Sequence, residues 1–314
     1  RYDNTPVMEE LLRLRHEAAQ LLGYPDYASY ALARRMARTT GEVMDFLRRL
    51  AKAARPAAER DLAELVEFAG RPLEAWDITY YSERLQEQRF NVSQEELRPW
   101  FPLPRVLEGL FRVVNRLFEV SFHPREDVPV WHPDACYYDI LDAGGRVIGG
   151  VYLDPYARSN KRSGAWMDDC VGRKELSTGR ALPVAYLVCN ALPGAPGQPA
   201  QLTHDDVVTL FHEFGHGLHH LLTRVRYPSI AGINGVAWDA VELPSQFMEN
   251  YAWQPEVLRE MTAHVADGSP LPEEKITQLL KTRSFQAGLA TVRQLEFALF
   301  DFRLHAEYDP ARGA

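Results

Sequence analysis

The chain has 314 residues, 46% of them hydrophobic and 25% charged, which supports a buried core and leaves room for one large or two smaller domains. A formal net charge of −8 excludes a broad nucleic-acid footprint, because phosphate binding needs clustered Lys and Arg. No apolar run approaches the ~18–20 residues needed to cross a bilayer, and no signal-peptide pattern is visible, so neither a membrane nor nucleic acid is expected as a partner.

Taken in chain order, Thr5-Pro6 opens a helix whose apolar stripe reads Val7, Leu11, Leu14, Ala18, Leu21 and Leu22, with Gly23 ending it. A long helical pattern runs from about Gly41 to Phe68, with a disturbance expected at Pro56. It contains the nearest thing to a basic run, Arg48-Arg49-Leu50-Ala51-Lys52, which reads as a solvated face. Another helix follows Asp77, and Pro104 opens one more through about Phe118. Near Ser121 the texture changes to short β-rich runs. Val128–Trp131, Tyr137–Leu141, Val147–Leu153 and Val184–Cys189 read as strands, with Asp142-Ala143-Gly144-Gly145 as a turn. From Thr203 the pattern is helical again. The order implies a mostly α (α+β) fold with a small mixed sheet, divided into a helical arm over residues 1–120 and a metal-binding part over 121–314. Cys136, Cys170 and Cys189 form no CxxC pair, which fits free thiols in a reducing, cytoplasmic setting. The sequence opens at Arg1 and closes on Asp309-Pro310-Ala311-Arg312-Gly313-Ala314, and neither end reads as a natural terminus, so a piece of a longer, monomeric protein is the expectation.

The chemistry concentrates in Phe211-His212-Glu213-Phe214-Gly215-His216-Gly217, an HExxH pattern. On a helix, residues four apart share one face, so His212 and His216 can close on one metal ion while Glu213 stands beside it as a general base. Thr203 is the expected N-cap, with Asp205 and Asp206 in the first turn. Two histidines and a Glu also meet on exposed helix faces by chance, and a catalytic zinc wants a third protein ligand. Glu242, 26 residues after His216 and beyond Gly232 and Gly235, is the expected third ligand. Asp239 and Glu249 are candidates to orient the imidazoles, or else exposed helix carboxylates. His219 lies two turns, or ~10 Å, beyond His212, too far to share one ion, and is expected as a buried hydrogen-bonding residue. His220 is expected to be structural, and His204 to cap or decorate the helix start.

These residues, from His204-Asp205-Asp206-Val207 through His219 and from Trp238-Asp239-Ala240-Val241-Glu242 through Asn250, resemble the thimet-oligopeptidase-like metallopeptidases. Lys161-Arg162-Ser163-Gly164-Ala165-Trp166-Met167-Asp168-Asp169-Cys170 and Gln294-Leu295-Glu296-Phe297 extend the resemblance across nearly the whole chain. The resemblance implies a mostly helical, zincin-like zinc endopeptidase with a deep channel that cuts short peptides. It carries the zinc histidines onto His212 and His216, the base onto Glu213 and the third ligand onto Glu242. It also points to Pro183–Asn190 as a strand that aligns the substrate backbone by β-augmentation, the alternative being an ordinary core strand. Members of that family continue into a Gly- and Tyr-rich segment that contacts substrate, which keeps open a zinc-bound, catalytically incomplete peptide-binding piece. A third reading is another zinc hydrolase such as an aminopeptidase.

Overall fold

A computed structural model describes residues 3–176 and 179–313. In chain order the helices α1 (Thr5–Leu21), α2 (Tyr27–Leu32), α3 (Thr40–Ala69), α4 (Ile78–Phe90), α5 (Gln94–Leu97) and α6 (Leu103–Phe118) come first. Seven strands follow: β1 (Ser121–Arg125), β2 (Cys136–Leu141), β3 (Val147–Tyr156), β4 (Trp166–Val171), β5 (Lys174–Leu176), β6 (Gly179–Ala181) and β7 (Val184–Ala191). The chain closes with α7 (His204–Leu221), α8 (Leu243–Glu249), α9 (Pro255–Met261), α10 (Glu273–Thr282) and α11 (Ala287–Ala306). The expected mostly α (α+β) class is what the chain adopts.

By contacts it forms two compact units. The first comprises the chain up to Arg89, Ala237–Asp239 and the chain from Thr282. The second comprises Phe90–Val236 and Ala240–Lys281. These boundaries differ from a division at residue 120, because α6 packs with the sheet's hydrophobic core and α11 returns to α3.

In the first unit, α3 runs unbroken through Pro56, so the expected disturbance does not end the helix. Its ends are well defined: Thr39 Oγ1 accepts the Glu42 N–H, and Gly70 stops it in the left-handed region at φ 66°. Close to Pro56, α11 crosses so tightly that a Cβ on Gly288 would lie 2.5 Å from the Ala58 nitrogen. On α1 the buried residues are Leu12 and Ala19, not the stripe read from the sequence; Val7, Leu14 and Leu21 are exposed.

The second unit is built on a five-stranded mixed sheet in the order β1-β2-β3-β7-β4. The first three strands form an antiparallel meander, β7 lies parallel to β3, and β4 pairs antiparallel with β7 as an edge strand. Ile140, Val151, Leu153, Ala185 and Leu187 point to one face, where the apolar sides of α6 and α7 join them in a single core. Three of the four expected strands form. Val128–Trp131 does not: it is irregular, with Pro129 unable to donate to a ladder, and Trp131 is held by its indole N–H on Asp154 at 2.9 Å. Its place in the sheet is taken by β1. No helix among the described residues is long and apolar enough to cross a membrane, and Cys136, Cys170 and Cys189 are unpaired.

Candidate metal centre

The phase of α7 is set at its first residue. Thr203, extended at φ −73° and ψ 164°, accepts the Asp206 N–H on its hydroxyl at 3.0 Å, and Asp206 returns the contact to the Thr203 N–H at 2.8 Å. Such a reciprocal cap contributes about 1 kcal/mol. His204 is not the cap: its ring is fully buried, and Nε2 donates to the Ala252 carbonyl at 2.9 Å. Burial lowers its pKa from 6.5 to about 4, so it stays neutral.

Two turns further on, His212 and His216 project on one side, their rings 4.9 Å apart. After α7 the chain reverses at Gly232, whose φ of +58° suits glycine and where a Cβ would come within 2.9 Å of the His220 Cα. It returns through short 3₁₀ turns to Glu242, the residue before α8. One Glu242 oxygen, Oε2, then lies 3.2 Å from His212 Nε2 and 3.1 Å from His216 Nε2. His212, His216 and Glu242 thus offer two nitrogens and an oxygen, all within 4.8 Å of one another.

Of the two carboxylates expected to orient an imidazole, Glu249 does reach one and Asp239 does not. Glu249, one helix length beyond Glu242, places Oε1 2.7 Å from His212 Nδ1, so the ring donates there and leaves the Nε2 lone pair directed at Glu242. Asp239 goes elsewhere: its carboxylate accepts the Met36 N–H at 2.9 Å and the Ala37 N–H at 3.0 Å, far along the chain from the imidazoles. Ser245, fully buried on α8, was not singled out by spacing. Its hydroxyl sits 2.8 Å from Glu242 Oε2 and 2.9 Å from the Glu242 carbonyl, one proton serving either acceptor. The legible sign was only a Ser three residues after the carboxylate, at a helix start.

Glu213 is 6% exposed. Burial raises its pKa above the ordinary carboxyl value, with Glu242 adding to the rise, while His212 and the Met167 backbone N–H work against it. Met167 belongs to β4, the edge strand that packs against α7. Burial likewise lowers the pKa of His216, against the pull of Glu242. His219 is half-buried rather than buried, and its Nδ1 has no hydrogen-bond partner among the described residues. His220 does serve structure: buried, it donates from Nε2 to the Val171 carbonyl at 3.0 Å, joining α7 to the end of β4.

The expected aligning strand needs correction. Pro183–Asn190 corresponds to β7, which is bonded to β3 on one side and β4 on the other, so it has no free edge. The ordinary core strand is what this run forms, and the free edge beside α7 belongs to β4.

Two histidines four residues apart on α7, met by a carboxylate just before α8, form a group that could hold a metal ion. The chain belongs to peptidase family M3, which matches residues 1–313. It is 51% identical over 320 residues to oligopeptidase A of Salmonella typhimurium and 52% identical over 320 residues to oligopeptidase A of Escherichia coli, in each case covering 100% of this chain and 47% of the relative. Oligopeptidase A of Haemophilus influenzae is 49% identical over 315 residues, or 98% of this chain and 46% of that protein. The chain therefore spans about half the length of the curated relatives it matches.

Proposed function

We propose that this chain carries the centre of a zinc metalloendopeptidase that hydrolyses internal bonds of short oligopeptides. The observation that carries this reading is the convergence of His212 Nε2 and His216 Nε2 on one Glu242 oxygen, at 3.2 and 3.1 Å. The donor set suits zinc: two imidazole nitrogens and one carboxylate leave a fourth position open, as catalytic zinc sites require. With the neutral His212 ring donating from Nδ1 to Glu249, its Nε2 and Glu242 Oε2 face each other as two acceptors at 3.2 Å, an arrangement that a shared cation would satisfy. His212, His216 and Glu242 would hold one ion per chain, with Glu249 and Ser245 orienting two of the three. Zinc bound there supplies Lewis acidity, bringing the pKa of water towards ~7 and polarising the scissile carbonyl.

Glu213 is assigned the general base. Its buried carboxylate accepts the proton of the attacking water and delivers it to the leaving amine. The free edge of β4 is the surface on which an extended substrate adds as a further strand. Main-chain hydrogen bonds of that kind tolerate many side chains, which suits short peptides of varied sequence.

The half-length match to the relatives favours one second reading, a zinc-bound peptide-binding piece without turnover. Mass-spectrometric mapping of products from a mid-length peptide, run beside metal analysis, separates the possibilities. Internal cuts support the endopeptidase. Stepwise trimming from the amino end indicates an aminopeptidase, and zinc without turnover supports the second reading.

A further inference from the structure

The Lys161 side chain is 5% exposed and the Asp154 side chain 2%, a full ion pair withdrawn from water on the far side of the sheet from α7's motif. Lys161 Nζ lies 2.9 Å from Asp154 Oδ1 and also reaches three main-chain carbonyls: Asp154 at 2.9 Å, Tyr156 at 2.8 Å and Cys189 at 2.5 Å. Asp154 and Tyr156 end β3, and Cys189 stands near the end of the parallel β7, so one ammonium ties the ends of two neighbouring strands. Asp154 is further gripped by Arg158 through two 2.6 Å contacts and by the Trp131 indole N–H. Burial alone would raise the pKa of this carboxyl, yet Arg158, Lys161 and Trp131 together hold it well below the usual range.

The segment that carries Lys161 leads straight into β4. Asn190, on β7, donates its side-chain amide to the carbonyls of Arg162 and Gly164, at 2.8 Å for the first. The run is therefore pinned at 161, 162 and 164, and β4 begins at Trp166. β4 packs against α7 and is tied to it at its far end, where His220 Nε2 meets the Val171 carbonyl at 3.0 Å. A buried ion pair is weak evidence for stability, because apolar residues of like volume often serve as well. What an apolar residue cannot do is fix several carbonyls relative to one another with directed N–H groups.

We propose that Lys161, locked on Asp154, is a positioning residue that sets the edge strand β4 against α7. This rests on the peptidase reading for its kinetic consequence, though not for its structural one. A substrate strand added to β4 is presented to α7 from wherever β4 lies, so loosening the lock weakens peptide binding as well as turnover. It leaves the metal ligands, on α7 and before α8, in place.

The test is Lys161→Met in the 314-residue chain loaded with zinc, with amide hydrogen exchange, zinc competition and peptide kinetics read together. The expected result is exchange across Trp166–Val171 at least tenfold faster, KM for a short peptide raised about tenfold, and zinc affinity within twofold of wild type. A purely structural role would lower the active fraction, and hence the maximal rate, while leaving KM alone. Lys161→Arg, which keeps charge and donors, is expected to recover part of the KM change. If Lys161→Met does not fold, Asn190→Ala, which frees only the Arg162 and Gly164 carbonyls, gives the same changes in milder form. Unchanged exchange in β4 overturns the proposal in every case, and unchanged KM overturns it when the wild type turns over peptide. A wild type without turnover refutes the peptidase reading instead, and exchange then decides the role of Lys161 by itself.

Discussion

Gly215 lies within α7, between Glu213 and His216, and α8 comes very close to where its side chain would be. A Cβ there would stand 2.4 Å from the Pro244 carbonyl oxygen, 2.5 Å from the Ser245 Cα and 2.8 Å from the Pro244 carbonyl carbon. All three are backbone atoms, which cannot rotate aside. Restoring ordinary contact at ~3.5–4.0 Å requires α8 to retreat by about 1 Å. For Gly215→Ala, the gain in helix propensity is about 1 kcal/mol, against about 1–3 kcal/mol for overpacking, so the net effect is destabilising. The larger consequence falls on the metal. Glu242 and Ser245 move with the start of α8, and misplacing a ligand and its hydrogen-bond partner should weaken zinc binding about 10–100-fold. Gly217→Ala is the internal control: its new methyl meets Leu187 Cδ2 at 3.2 Å, the end of a flexible side chain. Its stability should stay within about 1 kcal/mol of wild type. Chelator competition for zinc and thermal unfolding measure both effects. Wild-type zinc affinity and unfolding temperature in Gly215→Ala would refute the idea that close helix approach places Glu242.

Three further expectations follow from the same contacts. Glu249→Gln removes the carboxylate from His212 Nδ1 and should lower zinc affinity about tenfold or more, whereas Asp239→Ala should leave it unchanged and cost about 1–2 kcal/mol of stability through the lost Met36 and Ala37 contacts; equal effects of the two on chelator competition would contradict the assignment. Ser245→Ala should also weaken zinc binding about tenfold while the folded state persists, and an unchanged dissociation constant would show that the hydroxyl serves the Glu242 carbonyl alone. The third concerns pH. Between about 6.5 and about 4 the unfolded chain binds a proton at His204 that the folded chain refuses, so this residue makes stability rise with pH across that window. Chemical denaturation of wild type and His204→Phe should show a difference that grows in favour of wild type from pH 4 to 6.5 and then levels; a constant difference would mean that His204 is protonated when folded.

The parts of the fold that were legible in the sequence are those with local causes. The N-cap at Thr203, the four-residue spacing of His212 and His216, and the turn at Gly144-Gly145 each act within a few residues. Glu242 and Glu249 could be reached because one reversal, at Gly232, separates them from α7. What stayed hidden depends on partners distant in sequence. β4 reads poorly as a strand because its Asp168, Asp169 and Cys170 are exposed at an edge, so the run lacks the apolar signature that made β7 stand out. That same apolar signature is why β7 lies inside the sheet and cannot offer a free edge. Asp239 shares a helical phase with Glu242 on paper, but it sits in a short 3₁₀ turn outside α8, where helical spacing does not apply. Pro56 is tolerated in α3, and the stripe on α1 is not the buried face; both outcomes are decided by packing rather than by the local pattern.

The most direct measurement is of Glu213→Gln beside wild type: zinc per chain by elemental analysis and peptide turnover on the same samples. The expected result is one zinc per chain in both proteins, with hydrolysis present in wild type and abolished in the variant. Hydrolysis at the wild-type rate by Glu213→Gln, or no zinc bound by either protein, would contradict a metal centre of His212, His216 and Glu242 served by Glu213.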